Sequence, residues 1–521
     1  MRNFKNRGSW VVDSGWKNLP PSSFLLPPFA TAMILAVALA GCTIGPAYER
    51  PAAELPSDWK DLPTQNAVKA PAGDWWTMYN DPTLDKLVTE ALLHNQDLVL
   101  AVARVDEARA LARVSESQMW PAFDATFQRD RSKSSARSAI PLPPSVPLER
   151  NDYVAQLNVS YEVDLWGRLR SATAASRANL LATVAARDTV RIALATEVVR
   201  AYFGLVAFDA QVASTRRSLD LRTEGLKLQK VRHESGLIND FTLRQLEAEV
   251  YAAQSQLPAL EANRTAQELA LSVLLGRSPR DIMVGAVERR KEEGEPQAPV
   301  VPEGIPSDLL LRRPDVAQAE QALIAANARI SEARAALFPR IGLTGYYGSE
   351  SATLGDLFTA PTRIWDIAFG LAQPIFQGGR LFAEVDAVKA RERQAVAQYQ
   401  KTLQEAFREV RQALNTQVKA RESFDAETAR TVALRDAARL ARVRYVNGLI
   451  SQLEVIDADR NLLQAELNRS DALRVQRAAV ADLVKALGGG WEGFTEVGRR
   501  KEEGGSNFAD ASKGEGQKQN R

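Results

Sequence analysis

The sequence predicts a mainly α-helical protein with a small β part, internally duplicated: long antiparallel helices forming a helical barrel, plus four membrane β-strands in each protomer. Three observations predict it. Between Leu381 and Asn447 there is no proline or glycine, and apolar residues recur in steps of three and four at Leu381, Val385, Val388, Val396, Tyr399, Leu403, Phe407, Val410 and Leu414. From Asp152 to Leu165 the period is instead two, with Tyr153, Ala155, Leu157, Val159, Tyr161, Val163 and Leu165 apolar between polar neighbours and only Val154 out of pattern. Finally, several blocks return further along the chain, at a spacing of roughly 210 residues that is too long for a solenoid unit.

The 521 residues nearly balance 66 basic against 64 acidic side chains, so net charge gives no reason to expect nucleic acid. A single cysteine excludes an intrachain disulfide. That cysteine closes a recognisable pattern. Arg2, Lys5, Arg7 and Lys17 precede the apolar run Phe29 to Ala40, which is too short to span a bilayer and has the length of a signal peptide. The run ends Leu39-Ala40-Gly41-Cys42 and resembles a bacterial lipoprotein signal, which implies cleavage before Cys42 and a covalent lipid there, S-diacylglycerol with N-palmitoyl. The plain alternative is a buried structural cysteine. Thr43 follows, where an aspartate usually retains such lipoproteins at the inner membrane. One acyl chain alone binds membranes marginally, so a second attachment is expected.

Along the chain, residues 1–41 form the signal, 42–81 a lipidated arm, 82–276 the first repeat, 277–305 a linker, 306–488 the second repeat and 489–521 a polar tail. The repeats are visible residue by residue. Asn95-Gln96-Asp97-Leu98 before a helix ending at Pro121 returns as Arg313-Pro314-Asp315-Val316 before one ending at Pro339, and His233 to Ile238 returns as Tyr445 to Ile450. Each repeat holds a strand pair, within 121–165 and 339–376, then a long helix pair, 168–275 and 380–487. Phe123, Ala125 and Phe127 alternate in the first pair; Ile341, Leu343, Gly345 and Tyr347, then Trp365, Ile367, Phe369 and Leu371, alternate in the second. Trp166 and Phe376 stand where interfacial aromatics belong. Gly236 and Gly448 supply the left-handed residue that ends each descending helix, and Pro258 predicts a kink or break in the first ascending one. At about 1.5 Å per residue the Arg380 to Asn447 helix reaches on the order of 100 Å and needs other long helices beside it.

Four strands cannot close a barrel, since the smallest outer-membrane barrels need about eight. An open edge in lipid would strand backbone polar groups at several kcal/mol each. Closure must come from other copies, and three would supply twelve strands. On pattern alone, the same strands could half-bury against a helix layer in a soluble protein; the lipoprotein signal weighs against that.

The chain resembles the TolC-like outer membrane factors of tripartite efflux systems, in the lipoprotein branch called NodT. The residues are Cys42 with Gly45-Pro46-Ala47-Tyr48-Glu49-Arg50-Pro51, Trp75-Trp76, Tyr161 to Arg168, Arg312-Arg313-Pro314-Asp315-Val316, Ala325-Ala326-Asn327-Ala328, Gln373 to Arg380 and Lys485 to Trp491. The resemblance implies a homotrimer with a twelve-stranded barrel in outer-membrane lipid. It also implies a helical barrel reaching across the periplasm, and partners in a periplasmic adaptor and an inner-membrane pump of the RND type. It implies a gate at Leu453, Asp457 and Arg460, which share a helix face at i, i+4 and i+7; threefold symmetry would turn each into a ring. The first half has Phe241, Gln245 and Ala248 at these places, so such a gate is expected in the second half. Without the resemblance, Asp457 and Arg460 form an ordinary solvated helix pair.

Two other function classes fit the sequence less well. A structural lipoprotein tether would need no alternating strands. For an enzyme, the only histidines are His94 and His233, far apart in sequence, and there is no Cys/His metal spacing, no G-x-S-x-G and no phosphate loop.

Overall fold

A computed structural model describes residues 44–52, 73–137, 139, 143, 145–284, 286–289 and 311–489. The expected signal segment, Cys42, the linker from residue 290 to 305 and the tail from residue 490 lie outside the described residues.

The first repeat runs α1 (Pro82–His94), α2 (Gln96–Ser117), β1 (Ala122–Lys133), β2 (Glu149–Val163), α3 (Arg168–Glu234) and α4 (Asp240–Leu274). After the short α5 (Pro279–Val284), the second runs α6 (Pro314–Ala335), β3 (Arg340–Ser351), β4 (Arg363–Ala372), α7 (Arg380–Val446) and α8 (Gln452–Ala486). The duplication extends to length. α3 and α7 have 67 residues each, α4 and α8 have 35, and α2 and α6 have 22. The long helix α3 packs against α2 and α4, and also against α6 and α8, which in turn pack against α7. The helices thus form side-by-side columns in which two short helices together flank one long one.

Local chemistry sets the ends. At the turn after α3, the Gly236 N–H donates to the His233 carbonyl and the Leu237 N–H to that of Arg232, with Gly236 at φ 73°. Gly448, at φ 71°, does the same with Tyr445 while Leu449 donates to Arg444. Both are the Schellman arrangement, which glycine enters without a Cβ penalty. Asn239 caps α4 through the Thr242 N–H at 2.9 Å. Ser451 and Glu454 form a capping box, so α8 begins at Gln452.

Pro258 does not break α4. It lies inside one continuous helix and is exposed. On that face water can satisfy the carbonyl whose partner N–H proline removes.

The two strand pairs join into one antiparallel sheet in the order β1-β2-β3-β4. The alternation survives pairing, because the register stacks apolar on apolar. Phe123 faces Val159, which faces Gly345 and then Ile367, and the next outward row is Ala125, Leu157, Tyr347, Trp365. Asp124, Asn158, Tyr346 and Asp366 form a row on the other face. The strands run beyond the alternating stretches, notably at Arg129 to Lys133, where Arg131 and Lys133 ion-pair with Glu149. Trp166 is not a free interfacial ring: it stacks on Phe338 at 4.9 Å and donates to the Pro339 carbonyl at 2.8 Å.

The main core sits midway along the columns. A short 3-10 turn, Trp75–Tyr79, and α1 press Trp75, Trp76, Tyr79, Leu84 and Leu87 onto Tyr202 and Phe203 of α3, Tyr399 of α7 and Leu483 of α8. Two of its tyrosines are satisfied: Tyr79 donates to the Arg477 carbonyl at 2.7 Å, and Tyr202 to Asp81, which caps α1, whereas the Tyr399 hydroxyl is buried without a partner. Arg313 clamps the second repeat by donating to Asp315, to Glu409 on α7 and to the last carbonyl of α8 at Ala486.

Candidate functional site

Two features at opposite ends of the columns carry the functional geometry. One is the far end of the helix pairs. The α7/α8 hairpin presents Leu453, about half exposed at 49 %, and the Asp457 and Arg460 side chains, each 55 % exposed. Arg460 and Asp457 lie 3.7 Å apart, but the arginine's shorter contacts are to Glu249 of α4, with Nε 3.0 Å from Oε2 and a second, closer contact from Nη2 to Oε1. Glu249 is almost fully buried and accepts a further bond from Arg222 of α3 at 3.1 Å. Burial pushes the Arg222 guanidinium below its usual range, with the Glu249 charge working the other way.

Asp459 turns toward its own hairpin and pairs with Arg442 of α7 at 2.7 Å. Nearer the turns, the Tyr445 hydroxyl accepts from Gln229 at 2.8 Å and Arg232 at 2.9 Å, tying α7 to α3. His233, which occupies the position of Tyr445 in the first repeat, pairs instead with Asp240 at 3.0 Å.

Sequence reasoning placed Leu453, Asp457 and Arg460 together and the structure puts them on one end of α8. It missed Glu249 and Arg222, both in the first repeat. The signal was present: Glu249 interrupts the apolar stripe Leu243, Leu246, Val250, Ala253, and a carboxylate on a buried stripe is retained only with a cationic partner.

The other feature is the sheet. Its apolar face leaves Phe123, Phe127, Leu157, Tyr347, Trp365, Ile367 and Phe369 exposed, and no described strand pairs with the outer edges of β1 and β4. Beside it lies the arm. Gly45 fits against Ser331 of α6 so tightly that a Cβ would meet the serine hydroxyl, while Tyr48 and Arg50 both bond Glu320. Burial and the Glu320 charge push the Tyr48 hydroxyl up to about 12. Among the described residues no helix is long and apolar enough to cross a membrane, and no three His, Cys, Asp or Glu side chains group to hold a metal.

The family model described as Outer membrane efflux protein matches residues 87–277 and 305–489, one segment in each repeat. The chain belongs to the outer membrane efflux protein family. Among relatives of this efflux protein, the probable efflux pump outer membrane protein TtgC of Pseudomonas putida is 35% identical over 468 residues, covering 88% of this chain and 94% of the relative. The cation efflux system protein CusC of Escherichia coli is 31% identical over 469 residues, covering 88% and 98%. Among solved structures, the Campylobacter jejuni CmeC outer membrane channel superposes with a TM-score of 0.83 at 27% identity, covering 89% of this chain and 99% of that one. The fold of this efflux protein is therefore that of an outer-membrane channel. The two features above lie at opposite ends of its helical columns.

Proposed function

We propose that three copies of this outer-membrane efflux protein close into a passive exit duct. The duct crosses the outer membrane as a twelve-stranded barrel and the periplasm as a helical barrel, and it opens at its far end on docking with a periplasmic adaptor and an inner-membrane pump of the RND type. The observation that carries this is the sheet: four strands with one apolar face in register and both outer edges unpaired among the described residues. Unpaired edges are unaffordable in lipid, and a cyclic assembly removes them. The outer helical columns support the same closure, because α2 and α4 on one flank and α7 on the other leave Val99, Leu111, Tyr251, Phe382 and Val432 exposed.

Lipid on Cys42 would supply the second attachment. Cys42 precedes Gly45 by a reach of at most about 11 Å of chain, and Gly45 lies beside Ser331, one turn before α6 ends and the chain enters β3. The arm therefore starts at the membrane end and runs away from it.

The gate we assign to Leu453, Asp457 and Arg460. In a threefold assembly they form an apolar ring above a charged one, which excludes water and favours cations. The names of the relatives range from toluene to cations, consistent with a duct that filters little while the pump selects. The decisive experiment is the assembly state and conductance of the purified full-length protein in detergent and planar bilayers. A trimer with ion conductance is expected, and conductance rises in the double variant Asp457→Ala, Arg460→Ala. A stable monomer without a pore would overturn the duct and leave the tether reading.

A further inference from the structure

We infer that the apolar face of the sheet carries, at the end away from the helices, a basic belt that binds the phosphomonoester headgroups of a glycolipid in the outer leaflet of the membrane. The inference rests on the duct reading above, which puts that end of the sheet at the cell exterior, and adds a lipid class that the barrel recognises.

The pairing register sorts charge by face. The odd-numbered residues of all four strands share the apolar face, and the only charged ones among them are Arg129, Arg131 and Lys133 of β1, Glu149 of β2 and Arg363 of β4. All five lie at the end where β1 turns into β2 and β3 into β4, while the opposite strand ends lead to α2, α3, α6 and α7. On the even-numbered face the sign reverses at the same end, with Asp130, Asp152 and Glu350 against Arg150. Solvation alone asks for charge on either face and has no reason to sort it.

The belt also begins at the height a headgroup requires. From Val163 to Tyr153 the apolar face of β2 carries no charge, and at about 3.4 Å per residue this stretch is about 34 Å long. A membrane strand tilts by about 45°, which brings the stretch to about 24 Å of height. The apolar band of an outer-membrane barrel is about 25 Å tall and ends in an aromatic girdle. Here the girdle is Tyr153 and Trp365, with the Arg129 guanidinium 5.6 Å from the centre of the Tyr153 ring and Arg363 two residues from Trp365 on the same face. The cations therefore start where hydrocarbon ends.

Their chemistry selects the anion. Arg129, Arg131 and Lys133 follow one another at about 6.8 Å along β1, near enough for one phosphate to be held by two of them. A phosphomonoester offers close to two charges and three acceptor oxygens, whereas a phosphodiester offers one charge. Arginine matches phosphate oxygens in pairs. Acyl chains of the same lipid lie against Phe127, Leu157 and Trp365 below, which favours a lipid over a free ion. β1 and β4 are the outer strands, so closure sets a neighbouring copy's β4, with its Arg363, beside this β1 and completes the belt across the seam. Glu149, 3.1 Å from both Arg131 and Lys133, stands where the anion goes. Its side chain is half exposed, and so open an ion pair is readily exchanged.

The test uses the full-length protein in detergent, titrated separately with bis-phosphorylated lipid A, the same lipid stripped of phosphate, phosphatidylglycerol and inorganic phosphate, with occupancy read by native mass spectrometry. The bis-phosphorylated lipid should bind tightest of the four. Arg129→Gln and Arg363→Gln should each weaken it by about fivefold, the worth of one basic residue at an anionic surface. Glu149→Gln should strengthen it by a similar factor although two ion pairs are lost, an outcome that a purely structural role for Glu149 does not produce. Asp152→Asn, on the other face, should leave lipid binding unchanged. If the stripped lipid, phosphatidylglycerol or inorganic phosphate binds as tightly, or Glu149→Gln binds the lipid no better, the belt is wrong although the duct stands. Assembly state and conductance are recorded alongside: a monomer without a pore overturns the duct, and the belt with it.

Discussion

The middle of the columns and their far end are built from the same helices, yet they are held by different forces. At the middle, Trp76, Tyr79, Tyr202, Phe203, Tyr399 and Leu483 close around one another with almost no exposure, and area burial of this kind has no preferred direction of release. At the far end the hairpins meet through Glu249, Arg460 and Tyr445, each contact a directional bond that water can replace. The difference teaches where a rigid-looking rod can move: the hub is fixed by apolar packing, and the ends are tied by exchangeable bonds.

The largest effect that bears on this contrast is at the hub. Phe203→Ala removes a ring packed against Tyr79 at 4.9 Å and lying under the Arg477 guanidinium, also at 4.9 Å. It should cost about 3–5 kcal/mol in denaturant unfolding; a cost comparable to a surface change would erase the contrast.

A smaller effect sharpens it from the other side. Tyr445→Phe keeps the ring and deletes the acceptor of Gln229 and Arg232, a loss of about 1 kcal/mol. The unfolding midpoint should hardly move while the conducting fraction in bilayers rises several-fold. A fall in the midpoint with unchanged conductance would mean that Tyr445 belongs to the hub's kind of contact.

The smallest is a pH effect. Burial holds the half-buried Asp482 carboxyl above the usual aspartate range, with Arg200 and Lys485 pulling the other way. A carboxyl whose folded pKa exceeds its unfolded one destabilises the fold when ionised, and that penalty disappears as pH falls through the folded value. Asp482→Asn should therefore be more stable than the unaltered chain at neutral pH, and the gain should vanish toward about pH 4. A gain independent of pH would trace to packing instead.

Much of this was legible in the sequence because it is periodic. The stripe from Leu381 to Leu414 gave α7, the alternation from Tyr153 to Leu165 gave β2, and Gly236 and Gly448 gave the turns. What was not legible depends on meetings between distant residues. The pairing of β2 with β3, which makes one sheet of two strand pairs, leaves no mark in either repeat. The hub gathers Trp75 to Tyr79 from a segment without period, and only tertiary contact shows why those aromatics cluster. Pro258 predicts a kink or break, yet the helix continues through it, because local rules carry no knowledge of which face meets solvent. Glu249 and Arg460 lie 211 positions apart, and only the interruption of an apolar stripe hinted at a partner.

The equal lengths of α3 and α7, 67 residues each, have an evolutionary consequence. Inserting one residue into either would lower its turn by about 1.5 Å and spin everything beyond the insertion by about 100°, leaving one hairpin longer than its twin and its side chains aimed elsewhere. Such a change survives only if copied into the other repeat, and near a whole number of turns, so the reach of this rod can lengthen or shorten only in matched steps.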